Sequence, residues 1–195
     1  MIFYRTQPKR RYKDYRKYRP QLRKDFRFCC AYCTLHETMV GGEANYCIDH
    51  FRPIRGLYPH PDLECEYTNL YWACRECNEN KGAIWPSPEQ IADGLYFIDP
   101  CTPEGDHDLH WKTEPNGTLV SKTRAGEYTI EKLKLWRELL VFRRKEIYRW
   151  REELNMLITI LQRKQLGERK TEIESRIAEL QERLNPPAFN RPRNF

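Results

Sequence analysis

Two pairs of cysteines have the spacing of a metal site. Cys30 and Cys33 are separated by two residues, as are Cys74 and Cys77, and 40 residues lie between the pairs. Each pair can present two sulfurs from one tight turn, and four thiolates favour tetrahedral zinc. Because four thiolates leave no position for water, such a zinc would be structural. The alternatives are two unrelated pairs of free thiols, or competition from the adjacent Cys29 for the place of Cys30.

A second set of polar residues lies within the loop that this zinc would close, or directly beside it. Asp49 and His50 come near the end of a predicted strand over residues 45–51, and Asn78 directly follows the last zinc cysteine. Asp49 and Asn78 offer the oxygen ligands that Mg²⁺ or Mn²⁺ prefers. His50 can accept a proton from water near neutral pH. Taken alone, His50 would be a buried or surface histidine, but these neighbours favour a catalytic one.

The elements that must position these residues are short in the first half of the chain and long in the second. Pro and Gly residues mark 52–68 as a loop, a short helix begins over 77–83, and Asn116-Gly117 predicts a hairpin within 107–123. Apolar residues at helical spacing predict one helix over 127–165, which Gly167 ends. The capping-box pattern from Thr171 to Glu174 begins another helix.

These elements predict an α+β fold. The two long helices are best explained as an antiparallel hairpin, and a two-chain coiled coil is the alternative. The apolar stripe of the first helix serves either the core of the same chain or a partner. The predicted organisation is a basic N-terminal arm (1–28), a zinc-containing core (29–100), a β-hairpin connector (101–126), a helical hairpin (127–185) and an irregular tail (186–195).

Positive charge is concentrated in the arm. The whole chain has a net charge of +6, whereas residues 1–28 carry 11 basic and 2 acidic residues and the remainder is mildly acidic. Such an arm suits nucleic acid, with tyrosines available to stack on bases. A solvated tail or a strap packed on the protein is the alternative. The candidate phosphate contacts in the arm are Arg10, Arg11, Arg16 and Lys17.

The apolar stretches of the sequence are short, so neither a transmembrane helix nor a secretory signal is expected. No apolar stretch is long enough to span a bilayer, and no apolar segment follows the basic N-terminus. Cysteines paired for metal without an export signal favour a reduced, cytoplasmic protein with no membrane partner.

The chemistry-bearing segments together resemble the HNH endonucleases of the ββα-metal class. The resemblance rests on CAYC (30–33), IDHFRP (48–53), TNL (68–70) and CRECNENKG (74–82). It implies that His50 is the general base, that Asp49 and Asn78 hold the catalytic metal, and that Asn69 braces the loop around the histidine. It also implies a phosphate contact for Lys81. Arg52 and Arg55 lie close enough in sequence to contact the substrate backbone, with surface salt bridges as the equal alternative.

A second resemblance covers residues 109–144. This stretch is similar to the segment after the HNH core in small nucleases of bacterial phage defence, including the nuclease subunit of Septu-type and retron-linked systems. That resemblance implies an ATPase partner. The sequence departs from the pattern at Trp136, where Asn would be expected.

Three functions follow as hypotheses. The first is a metal-dependent endonuclease that cuts DNA, in defence against phage or foreign DNA. The second is a zinc-stapled nucleic-acid-binding module without catalysis. The third is a nuclease subunit that is active only with an ATPase or another partner. Since one catalytic centre cuts one strand, cutting both strands would require a homodimer or two cleavage events.

Overall fold

Helices and two small sheets alternate along the chain, which confirms the predicted α+β class. The computed structural model describes residues 2–162 and 169–185. These residues fall into two units, Met1–Lys112 with Leu119–Arg137, and Thr113–Thr118 with Glu138–Phe195. The helices are α1 (Arg19–Asp25), α2 (Arg75–Lys81), α3 (Pro88–Ala92), α4 (His107–His110), α5 (Arg124–Lys132), α6 (Glu138–Leu161) and α7 (Arg169–Leu184). The strands are β1 (Tyr46–His50), β2 (Leu70–Cys74), β3 (Trp111–Thr113) and β4 (Leu119–Ser121).

Two antiparallel strands and the helix that follows them form the centre of the first unit. β1 pairs with β2 so that Tyr46 lies opposite Cys74 and His50 lies opposite Leu70. β2 is buried along its whole length and contacts both α1 and α2, which explains its continuous apolar sequence. α2 begins directly after β2, without a loop. This strand–strand–helix arrangement places the end of β1 beside α2.

The basic N-terminal arm packs on this centre. Phe3, Leu22 and Phe26 are fully buried, and the Phe26 ring lies 5.0 Å from that of Phe3 and 5.5 Å from that of Tyr71. A short 3₁₀ helix (Tyr15–Tyr18) leads directly into α1. The solvated-tail alternative for residues 1–28 is therefore wrong, because the arm supplies part of the hydrophobic core.

The single helix expected over residues 127–165 is wrong. α5 ends at Lys132 and α6 begins at Glu138. Lys134 has a positive φ of 48°, and the amides of Lys134 and Leu135 donate to the carbonyls of Glu131 and Ile130. This is the Schellman arrangement that ends many helices. Lys134 takes the position where glycine is usual, so the sequence carries no visible stop signal.

The hairpin predicted around Asn116-Gly117 is present, with β3 and β4 paired in a second two-stranded sheet. Gly117 has a φ of +88°. A Cβ atom there would lie 2.1 Å from the Val141 carbonyl oxygen. Glycine is therefore required at this turn for both its backbone conformation and its lack of a side chain.

Helices α6 and α7 pack against each other in the second unit. Ile177 and Leu180 on α7 are buried. Arg176 forms an ion pair with Glu153 at 2.7 Å, and Arg183 lies 5.6 Å from the Trp150 ring. Because later residues of α7 meet earlier residues of α6, the helices run antiparallel. Gly167 and the predicted tail (186–195) lie outside the described residues.

No helix within residues 2–162 and 169–185 is both long enough and apolar enough to cross a bilayer.

Candidate metal centre and catalytic histidine

Four buried cysteines meet at one point in the first unit. Cys30 and Cys33 lie on the turn after α1, while Cys74 ends β2 and Cys77 lies in the first turn of α2. Their Sγ atoms all lie within 4.8 Å of one another, and the Cys33 and Cys74 sulfurs are 3.9 Å apart. A tetrahedral zinc with bonds of about 2.3 Å requires sulfurs about 3.8 Å apart. The four cysteines could therefore hold a zinc ion.

The sulfurs of the cluster oppose one another's ionisation. Contacts with the Cys30 sulfur first, and then with those of Cys74 and Cys77, raise the pKa of the Cys33 thiol well above its usual value. Sulfurs packed this closely become thiolates together only when a cation offsets their charge.

Arg137 lies beside this cluster although it is 60 residues away from Cys77 in the sequence. Its Nη2 donates to Cys77 Sγ at 3.4 Å, and its Nε lies 2.7 Å from Glu76 Oε1. A donor that contacts a ligand sulfur and carries positive charge offsets the negative charge of a thiolate–zinc cluster. The spacing of residues in the sequence does not indicate that Arg137 lies beside the cysteines.

His50 is half-buried at the end of β1 and has a defined ring orientation. Its Nε2 lies 2.9 Å from the Glu64 carbonyl oxygen. Since a carbonyl only accepts hydrogen bonds, Nε2 carries the hydrogen and Nδ1 carries the lone pair in the neutral ring. No described residue forms a hydrogen bond with Nδ1. The ring edge is also packed against Tyr15, with centroids 4.8 Å apart at 71°.

Asn69 holds the segment that follows His50. Its Oδ1 accepts from the Arg52 amide at 2.8 Å, and its Nδ2 donates to the Arg52 carbonyl at 3.0 Å. The same amide donates to the Leu63 carbonyl at 3.4 Å. Asn69 therefore connects the backbone after β1 to the loop that carries Glu64, the hydrogen-bond partner of His50.

Asp49 points into the protein and belongs to a buried network. Its carboxylate is 4% exposed and accepts a hydrogen bond from Tyr32. Burial raises the pKa of Tyr32 well above its usual value, so the hydroxyl remains a donor. Lys81, which is fully buried, places Nζ 3.1 Å from Asp49 Oδ2 and 2.8 Å from the His50 carbonyl oxygen.

The position of Lys81 differs from the expected phosphate contact. Its ammonium lies among protein oxygens and has no exposure to solvent. It therefore does not face an incoming substrate in this structure. It instead neutralises Asp49 and fixes the end of β1 against α2. The sequence pattern could not reveal this, because Lys81 lies more than 30 residues away from Asp49 and His50 in the chain.

The oxygens around this point suit a hard cation. A carboxylate and a carbonyl already surround one buried positive charge, and the half-buried Asn78 lies one turn before Lys81 on α2. The Asn78 amide has no hydrogen-bond partner among the described residues. The resemblance assigns a divalent ion to Asp49 and Asn78. Both carboxylate oxygens of Asp49 contact Lys81, so binding of an ion by Asp49 would require Lys81 to release one of them.

The predicted nucleic-acid contacts other than Lys81 on α2 are exposed. Arg52 lies 6.0 Å from the Trp85 ring and Arg10 lies 4.7 Å from the Tyr12 ring, and both residues are exposed. The exposed set is Arg10, Arg11, Arg16, Lys17, Arg52 and Arg55. These cations can approach a phosphate backbone, whereas Lys81 cannot without rearrangement.

The chain is similar to one curated protein from bacteria. It is 26% identical over 148 residues to the Septu protein PtuA of Bacillus mycoides strain KBAB4. The match covers 65% of this chain and 20% of that protein, so the chain spans about a fifth of the length of the relative. No protein-family profile matches the chain, and no solved structure matches it significantly.

Proposed function

We propose that the protein is an HNH-type endonuclease that hydrolyses phosphodiester bonds of DNA. The observation that carries the proposal is the environment of His50. Its Nε2–H donates to a backbone carbonyl, Nδ1 remains available, and Asp49 and the cysteine-anchored α2 lie beside it. A fixed imidazole with one available nitrogen is suited to general-base catalysis.

The chemical step follows from that tautomer. Nδ1 of His50 takes a proton from a water molecule while the water oxygen forms a bond to phosphorus. The bond from phosphorus to the 3′ oxygen breaks, and that oxygen takes a proton from solvent, which gives a 3′-hydroxyl and a 5′-phosphate. Asn69 and the Glu64 carbonyl hold the ring in place during this transfer. A bound Mg²⁺ or Mn²⁺ would neutralise charge on the phosphate and on the leaving oxygen.

In the proposed nuclease, zinc has a structural role. The four cysteines would hold it and connect the turn after α1 to the junction of β2 and α2. His50 pairs with β2, and α2 contacts β1, so the ion would fix both elements beside the candidate base.

The biological role is inferred from sequence similarity. The match to a Septu protein agrees with the resemblance of residues 109–144 to nucleases of Septu-type phage defence. We infer a defence function and a protein partner, for which an ATPase is the first candidate. Exposed apolar side chains on α6, namely Leu139, Phe142 and Met156, favour the second candidate function, a subunit that is active only in a complex.

A cleavage assay tests the proposal. Zinc-loaded protein is incubated with plasmid, linear duplex, single-stranded DNA and RNA, each with Mg²⁺, Mn²⁺ or EDTA. Cleavage of DNA that requires the divalent ion and yields 5′-phosphate ends is expected. Binding without cleavage under every condition, including addition of the partner encoded beside the gene, would favour the non-catalytic binding module.

A further inference from the structure

The arm segment beside His50 is held by the same loop that holds the histidine. The Tyr18 hydroxyl accepts from the Tyr12 amide at 2.9 Å, and the buried Tyr18 ring lies 5.0 Å from that of Tyr67. Cys65 Sγ donates to the Lys13 carbonyl at 3.1 Å. Residues 65–67 directly follow Glu64, so residues 12–18 have a defined position next to the candidate base.

Within this segment, Tyr15 is the residue whose side chain contacts His50. Its ring meets the His50 ring edge to face, with centroids 4.8 Å apart. The hydrogen bond to the Glu64 carbonyl fixes one end of the imidazole, and the tyrosine ring limits its rotation from the side. Two contacts from different parts of the chain therefore orient the ring, and one of them comes from the arm.

The next residue supplies an accessible positive charge. The Arg16 side chain is 78% exposed, and its nearest carboxylate, Asp14, lies 3.8 Å away and is itself accessible. The Arg16 guanidinium lies 5.9 Å from the Tyr15 ring centroid. Lys17 is exposed as well. A positive charge that a phosphate can reach is thus present next to the ring that contacts His50.

The arm also contains a cavity. It has a volume of about 540 Å³ and is lined by Thr6, Gln7, Lys9, Arg10, Tyr12 and Gln21. Lys9 and Arg10 in this lining can contact phosphate, and Tyr12 can stack on a base, whereas the Gln21 amide is already hydrogen-bonded to Thr6.

We propose that the N-terminal arm is part of the nuclease site and not a separate binding tail. Tyr15 is a positioning residue for His50, and Arg16 binds the phosphate of the nucleic acid that faces the histidine. The cavity along the arm takes a neighbouring nucleotide of the same strand. This inference rests on the proposed function for the role of His50, but the Tyr15 contact can be tested without it.

The positioning role is tested with Tyr15→Ala, Tyr15→Phe and the control Tyr4→Ala, since Tyr4 is 70% exposed. Tyr15→Ala should lower the cleavage rate at saturating DNA by roughly tenfold or more, as misplacement of a catalytic group does. The DNA dissociation constant should change less than twofold. Tyr15→Phe should restore the rate, because it keeps the ring. An unchanged rate in Tyr15→Ala would overturn the role.

A second readout does not depend on cleavage. The ring-proton NMR resonances of His50, assigned with His50→Gln, should shift in Tyr15→Ala and remain near their wild-type positions in Tyr15→Phe. If the wild-type protein cuts nothing but the resonances shift in this way, the proposed function fails while the contact holds. If the resonances do not shift, the contact is absent and the inference fails.

The phosphate contact is tested by salt dependence. Arg16→Gln is compared with Arg151→Gln, which makes the same charge change on an exposed part of α6. Arg16→Gln should weaken binding to an oligonucleotide and reduce the slope of log affinity against log salt by about 0.7–0.9, the value for one lost phosphate contact. Equal slopes in the two variants would show that Arg16 is not on the nucleic acid.

Discussion

At the scale of single residues, Lys81 sets the charge balance around the candidate catalytic groups. It has no solvent exposure, and its ammonium contacts both oxygens of Asp49 and the His50 carbonyl. A buried ion pair of this kind adds little net stability compared with an apolar pair, but loss of one partner leaves the other charge buried and unpaired. Lys81 therefore supplies the counter-charge beside the Asp49 carboxylate inside the protein.

We predict that Lys81→Met lowers the free energy of unfolding by about 3–5 kcal/mol, because Asp49 loses its counter-charge. Urea unfolding of zinc-loaded protein measures this. The double variant Asp49→Asn with Lys81→Met should regain part of the loss, since no charge is then buried. The exposed Lys24→Met is the control, with an expected change within about 0.5 kcal/mol. Equal stability of Lys81→Met and Lys24→Met would contradict the ion pair.

At the scale of elements, the connection between α5 and α6 departs from the helix that the apolar spacing predicts. The apolar spacing continues across residues 133–137, so periodicity alone predicts one helix. Leu133 and Leu135 are buried because the chain turns at Lys134. A lysine with positive φ leaves no trace in the sequence, whereas glycine at that position would have marked the end of the helix.

We predict that Lys134→Gly raises the free energy of unfolding by about 1 kcal/mol, because glycine relieves the left-handed conformation. Glu131→Gly, an exposed position inside α5, should instead lower it by about 1 kcal/mol. Thermal or urea unfolding of the two variants gives the comparison. Destabilisation by both substitutions would indicate a continuous helix.

The zinc site also belongs to this scale, because it joins the turn after α1 to the start of α2. Elemental analysis should find about one zinc per chain.

We predict that Arg137→Gln lowers zinc affinity by roughly 10–100-fold, the usual effect of losing a hydrogen bond to a ligand. Competition with a chromophoric chelator measures the affinity, and the exposed Arg124→Gln is the control. Identical affinities in the two variants would remove Arg137 from the metal site.

At the scale of the whole molecule, local patterns predicted local structure and missed what distant segments build together. The cysteine spacing correctly predicted a four-sulfur cluster, and the strand predicted over residues 45–51 is present as β1. The network of Tyr32, Asp49 and Lys81 could not be predicted, because it forms only when β1, α2 and the cysteine turn meet. The basic arm was predicted from charge alone. Charge does not reveal that Phe3 and Leu22 are buried.

Single-turnover cleavage by His50→Ala tests whether His50 is the general base of a nuclease. With Mg²⁺ and the DNA substrate that the wild-type protein cuts, the rate should fall by roughly 10²–10⁴-fold, the contribution of a general base. DNA affinity and zinc content should not change, and excess Mn²⁺ should not restore the rate. His60→Ala, in the same loop region, should cut normally. Near-normal cleavage by zinc-loaded His50→Ala would contradict the account.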